Sequence, residues 1–200
     1  MKKLSDILKG KTCAVVSNSG DLMNYEYGEL IDSHDVVIRC NWSLINGYEK
    51  HVGTKTDIRL INIHLVRLII NFEKVSKDSN YNRVFPCWSS LNIDKTINDE
   101  LIILHPTANG FLKSVSLKLK NNEVYSSSKF NINNHSYSTG MISILLASKL
   151  FESVSCFCFD FFQKEQKHYF ENSIHNLKSH NISGEYEVSR NLLNTKFYPS

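Results

Sequence analysis

The chain has 200 residues, of which 42% are hydrophobic and 22% charged, enough to bury the core of one globular domain without disulfides or metals. Its 23 basic and 20 acidic residues give a formal net charge of +3 and are spread without a run of five like charges. That distribution excludes a nucleic-acid patch and leaves at most peripheral contact with a membrane. Five cysteines, Cys13, Cys40, Cys87, Cys156 and Cys158, are odd in number and lack C-x-x-C spacing, so neither a disulfide framework nor a zinc site is indicated. Leu4 to Lys11 is interrupted by Ser5, Asp6 and Lys9 and cannot be the apolar part of a signal peptide. No segment approaches the ~18 apolar residues of a transmembrane helix. The expected location is the cytoplasm, and a mildly basic chain suits an anionic small molecule.

Short β-branched apolar runs alternate with longer amphipathic ones, the pattern of an α/β fold with a mostly parallel sheet flanked by helices. In chain order the sequence predicts a strand at Cys13 to Ser17, a helix at Tyr27 to Ile31, strands at Val36 to Cys40 and Asp57 to Ile61, and a helix at Ile63 to Phe72. Strands near Arg83 to Pro86 and at Leu101 to Leu104 follow, then helices at Ala108 to Lys120 and Gly140 to Phe151. A strand at Val154 to Phe159 precedes helices at His168 to Lys178 and Glu185 to Asn194. Two polar stretches, Lys74 to Asn82 and Asn121 to Asn134, read as exposed loops able to hang over a cleft as lids or acceptor-binding segments. Neither is long enough to be a linker, so residues 1–200 form a single domain in this reading.

The first strand runs straight into Asn18-Ser19-Gly20. Ligands of open α/β sheets bind at the carboxyl ends of strands, which is where this turn falls. Gly20 permits close backbone approach, while Asn18 and Ser19 offer uncharged donors. A polar turn of this kind is also a common structural feature, and the missing G-x-G-x-x-G glycines argue against a dinucleotide site. The second strand ends in Asn41, which either joins Asn18 at the same end of the sheet or bonds its own backbone as a turn residue. Tyr137-Ser138-Thr139-Gly140 then opens an apolar helix, whose unpaired N–H groups and partial positive charge can hold a phosphate or carboxylate. Serine and threonine at that position also serve as ordinary caps. Three such turns at one end of a sheet point to an anion more strongly than any one of them.

On these residues the chain resembles the eukaryotic-type sialyltransferases, glycosyltransferase family 29, in all four of that family's motifs. The large motif is matched by Cys13 to Gly20, Tyr27 to Asn41 and Gly47 to Thr56, and the small motif by Tyr137-Ser138-Thr139-Gly140-Met141 with its helix and following strand. The third motif is similar to His168-Tyr169-Phe170-Glu171-Asn172, and the very small motif to His180 through Glu185. Ile63 to His135 is unmatched.

The resemblance implies a Rossmann-like fold of the GT-A type, no metal or other cofactor, a CMP-sialic acid co-substrate and a glycan or glycolipid acceptor. It places Asn18 and Asn41 on the nucleotide phosphate and sugar, with Ser19 beside them, and Ser138, Thr139 and Gly140 on the donor's carboxylate or phosphate. His168 contacts the phosphate as the bond breaks, His180 is the catalytic base, and Tyr137, Glu171 and Glu185 are supporting residues. Three departures stand out. The family's bridge from the large-motif cysteine, here Cys13, meets Phe151 and cannot form, which fits a reducing compartment. Expected glycines are replaced by Cys158 and Asp160, and Phe159-Asp160-Phe161 looks more like bacterial sialyltransferases of a different family. Stem and membrane anchor are missing, so the expectation is a compact bacterial or non-Golgi version, with a Golgi lumen only for a truncated fragment.

The residue types suit the chemistry. A departing CMP gains about one negative charge, which hydroxyls, amides and one imidazolium can stabilise. The sequence has no D-x-D metal motif. An anion beside His168 favours its protonated form, whereas His180 must be neutral to accept the acceptor hydroxyl's proton. Another CMP-sugar donor such as CMP-Kdo fits the same residues, as does a non-catalytic module that only binds the CMP-sugar.

Overall fold

The computed structural model describes residues 3–75, 97, 100–159, 168–170 and 182–199. Among the described residues seven strands lie in one sheet: β1 (Thr12–Val16), β2 (Val36–Cys40), β3 (Ile58–Ile61), β4 (Leu101–Leu104), β5 (Val124–Ser126), β6 (Ser153–Phe157) and β7 (Thr195–Tyr198). Their order is β5-β4-β3-β2-β1-β6-β7, and every pairing is parallel. The helices are α1 (Leu4–Ile7), α2 (Gly28–Asp32), α3 (Glu49–Val52), α4 (Ile63–Val75), α5 (Leu112–Lys118), α6 (Thr139–Leu150) and α7 (Ile182–Arg190).

The central strands are apolar throughout because both faces are covered, as parallel sheets require. Cys13, Val15, Ile38, Ile58, Leu60, Leu101, Ile103 and Cys156 point to one face and pack against Ile142, Leu146 and Ala147 of α6. On the other face Ala14, Val16, Val37 and Phe157 meet Leu22, Ile31 and Val52, while Ile61, Ile102 and Leu104 meet Leu65, Val66 and Ile69 of α4 and Val115 of α5. Strand addition runs one way from β1 to β5. The chain then crosses back through α6 to place β6 on the other side of β1, so the direction reverses between β1 and β6. A crevice for ligand opens at such a reversal, at the carboxyl ends of the strands.

Two arginines on that second face, Arg39 and Arg59, are paired in register on β2 and β3 and fully buried. Arg59 donates to both carboxylate oxygens of Glu100, at 2.5 and 2.8 Å, and to the Asn41 carbonyl at 2.8 Å. Burial opposes its charge, but Glu100 outweighs this and raises the guanidinium pKa above its ordinary value. Among the described residues Arg39 bonds no carboxylate. It donates to the carbonyls of Val52 (2.6 Å) and Lys55 (3.1 Å) and to the Thr56 hydroxyl (3.0 Å), and its pKa falls to about 10 through burial and the neighbouring Arg59.

Most predicted elements stand within two or three residues of expectation, with informative exceptions. Val124–Ser126, read as exposed loop, is the edge strand β5, and Ser127 and Ile132 behind it are buried, so this stretch is not a lid. Three half-buried residues are too few to show an alternating pattern. Strand β7 was absent from the expectation for a similar reason, because Lys196 interrupts its apolar character. Ala108 to Lys120 divides into a 3₁₀ turn at Pro106–Phe111 and α5, since Asn109-Gly110 interrupts the helix. The last helix starts at Ile182 and ends at Arg190 rather than spanning Glu185 to Asn194. Residues 168–170 form a bridge and turn instead of helix, and the remainder of that predicted helix and the strand near Arg83 to Pro86 lie outside the described residues.

Removing the Glu100 carboxylate should strand the Arg59 charge in the core. Glu100→Ala is expected to lose about 3–5 kcal/mol in urea denaturation, whereas Arg59→Met combined with Glu100→Leu recovers much of it. A second expectation concerns Asp32, at the end of α2. It accepts the Thr54 amide at 2.8 Å, the Thr54 hydroxyl at 2.8 Å and the Lys55 amide at 3.0 Å. Gly53, at φ 73°, lets this happen, since a Cβ there would sit 2.5 Å from Asp32 Oδ1. Partial desolvation raises the Asp32 pKa, but those hydrogen bonds prevail and leave it lowered from 3.8. Its stabilisation is therefore complete above about pH 4 and lost as pH falls through the folded value. Melting temperature should decline more steeply with acid in the native chain than in Asp32→Asn.

Candidate functional site

At the β1–β6 reversal the two strand ends are tied together by one hydroxyl. Ser17 Oγ donates to the Cys158 carbonyl at 2.8 Å and accepts the Ser19 amide at 3.1 Å. Cys158 holds the other end in a left-handed backbone, φ 56°, with its thiol against the Pro199 carbonyl. Ser19 in turn accepts the Asp21 amide and caps the 3₁₀ turn Gly20–Asn24. Between these serines, Asn18 donates from Nδ2 to the Cys40 carbonyl at 3.3 Å and accepts the Ser43 hydroxyl at 2.6 Å. The side chain of Asn18 therefore spans from β1 to the end of β2.

Asn41 occupies a left-handed conformation, φ 50°, immediately after β2. Its Oδ1 accepts the Asn62 amide at 2.9 Å, and Asn62 Oδ1 caps α4 through the amides of His64 and Leu65. The Asn41 carbonyl is engaged by Arg59, which leaves Nδ2 without a hydrogen-bond partner among the described residues. Asparagines thus follow β1, β2 and β3 in turn, each at the same end of the sheet.

His168 forms an antiparallel bridge with Ser19, and the Tyr169 amide donates to the Asn18 carbonyl at 3.2 Å. The Tyr169 ring packs on Tyr48, its hydroxyl bonds the Leu44 carbonyl, and burial pushes its pKa well up. This anchors His168 next to the turn that carries Asn18 and Ser19.

The amino end of α6 reaches the same end of the sheet. Glu185, 2% exposed, accepts the Ser138 amide at 2.5 Å and the Ser138 hydroxyl at 2.7 Å, while that hydroxyl accepts the Met141 amide at 3.1 Å. Ser138 is thereby engaged as a cap, and the first-turn amides of Thr139 and Gly140, which have no intrahelical acceptor, remain as donors. A Cβ on Gly140 would lie 2.9 Å from the Phe159 ring, so glycine allows that ring to lie against the helix start. Among the described residues, no three His, Cys, Asp or Glu side chains gather as a metal site needs, and no described helix is long and apolar enough to cross a membrane.

The family model described as glycosyltransferase family 29 (sialyltransferase) matches residues 5–90 and 66–197. The chain belongs to glycosyltransferase family 29. A beta-1,6-galactosyltransferase of Arabidopsis thaliana is 31% identical to it over 209 residues, covering 92% of this chain and 51% of that protein. A beta-galactoside alpha-2,6-sialyltransferase 2 of Bos taurus is 50% identical over 56 residues, 28% of this chain and 11% of its own length. The chain spans 51% and 11% of the length of these curated relatives. A mammalian sialyltransferase of known structure superposes with a TM-score of 0.59 at 19% identity, covering 96% of this chain and 70% of that one. That likeness establishes the shared fold.

In this family 29 chain, Asn18, Ser19, Asn41 and His168 come together at the carboxyl ends of β1 and β2, and Tyr137, Ser138, Thr139, Gly140 and Glu185 at the start of α6. His180 and Glu171, and Asp160 among the departures, lie outside the described residues. Cys13 is a buried free thiol, and Phe151 is packed in the same core. The sequence reading missed Ser17, which ties the ends of β1 and β6, and Ser43 and Asn62, which hold the side chains of Asn18 and Asn41. The recurrence of Asn after three successive strands was a readable signal for Asn62.

Glu185→Ala removes the acceptor for two Ser138 donors. It should cost about 1–3 kcal/mol in chemical denaturation, the penalty of unpaired buried groups, with Glu185→Gln intermediate.

Proposed function

We propose that this chain transfers sialic acid from CMP-sialic acid to a hydroxyl of an acceptor glycan, by direct displacement with inversion and without a metal. The observation that carries this reading is the set of uncharged donors and one imidazole around the β1 turn: Asn18, Asn41 with Nδ2 unengaged among the described residues, and His168 bridged to Ser19. Asn18 and Asn41 hold the nucleotide, and the amides of Thr139 and Gly140 face the phosphate or the sugar carboxylate, with Ser138 shaping their turn. His168, protonated beside the phosphate, donates to the departing CMP. Each such preorganised donor lowers the barrier because it meets charge that develops only as the bond breaks. His180 takes the proton of the acceptor hydroxyl, a contribution typically worth ~10² to 10⁴ in rate.

A second reading is transfer of a nucleotide-activated galactose, favoured by the 31% identity that extends over 92% of this chain to the Arabidopsis thaliana galactosyltransferase. A donor screen in EDTA separates the two. Release of CMP from CMP-sialic acid, indifferent to chelation, is the expected result. Turnover of UDP-galactose alone, or activity that returns only with manganese, would overturn the first reading. His180→Ala should retain CMP binding while turnover falls by about 10² or more, and Asn41→Ala should weaken CMP binding.

A further inference from the structure

His105 follows β4 in the stretch between the sequence motifs, and it is 4% exposed. Its Nδ1 faces two groups of Thr107, the amide at 3.2 Å and the hydroxyl at 2.8 Å. An amide can only donate, so Nδ1 is the acceptor and the ring proton resides on Nε2. Nε2 then donates to the Tyr137 carbonyl at 2.8 Å. Tyr137 immediately precedes the turn whose amides open α6, so the end of β4 and the start of α6 are joined through one imidazole of fixed tautomer.

We infer that His105 is a positioning residue for the donor site: by holding the Tyr137 carbonyl it fixes the direction of the Ser138–Thr139–Gly140 turn and of the amides that face the ligand. The inference rests on the donor site proposed above, but its mechanical half does not need a ligand. Glu185 holds the same turn from α7 through the Ser138 amide and hydroxyl, and His105 holds it from β4, so the turn is clamped between two elements. With only the Glu185 clamp, the peptide before Ser138 can rotate and carry the donors off their line.

The test compares His105→Leu with His105→Gln, whose side-chain amide can reproduce the Nε2 donation. Hydrogen exchange on the intact chain reads the turn directly. In His105→Leu the Met141 and Ile142 amides should exchange about tenfold faster while Val15 in β1 is unchanged, and His105→Gln should restore protection. CMP, titrated by calorimetry, should bind about threefold to tenfold more weakly to the leucine variant and regain affinity in the glutamine one. Unaltered exchange at Met141 and Ile142, equal acceleration in β1 and α6, or a glutamine variant indistinguishable from leucine would each overturn the inference. Failure of the native chain to bind CMP would instead sink the donor reading, with the exchange data still deciding the role of His105.

Discussion

Two guanidinium groups lie side by side inside the sheet and, among the described residues, one carboxylate bonds to them, so segments at both ends of the strands supply the remaining acceptors. A buried charge must be surrounded by oxygen. Glu100 serves Arg59, but Arg39 has only carbonyls and a hydroxyl, drawn from Val52, Lys55 and Thr56. Those contacts hold the segment that leads from α3 into the amino end of β3, and at the opposite end of the strands Arg59 pins the left-handed Asn41 peptide by its carbonyl. Even so, Nη1 of Arg39 finds no acceptor among the described residues. Charge in the core thus bears on backbone geometry at both ends of the sheet, the Asn41 turn included.

Much of this was legible in the sequence. Strands such as Val36–Cys40 and Leu101–Leu104 are unbroken apolar runs because both faces are covered, and such runs declare themselves without any partner. The asparagines at 18 and 41 were recognisable because a polar residue directly after such a run lies at the end of a buried strand. What stayed hidden depends on partners distant in sequence. β5 has three half-buried residues and becomes a strand only by pairing with β4. Ser138 reads as a ligand-facing hydroxyl or a cap, and only Glu185, 47 residues away, decides that its hydroxyl is taken. Likewise, nothing local distinguishes His105 from any histidine ahead of a proline.

The turns after β1 and β2 are held largely by neutral groups. Ser17, Ser43 and Asn62 each direct another polar side chain or turn rather than meeting solvent, and the peptide groups of Cys158, Cys40 and Asn62 complete the arrangement. A neutral network of this type keeps its geometry across a wide pH range, because few of its members titrate.

The contact between Gly140 and Phe159 carries an evolutionary corollary. A single methyl at 140 would overlap the ring by closing to 2.9 Å, and the ring belongs to a different strand end. Position 140 is therefore not free to enlarge while the ring stays where it is. Among homologues the two should covary, with any larger residue in place of Gly140 matched by a smaller one in place of Phe159, and that paired exchange would reshape the crevice floor in one concerted step.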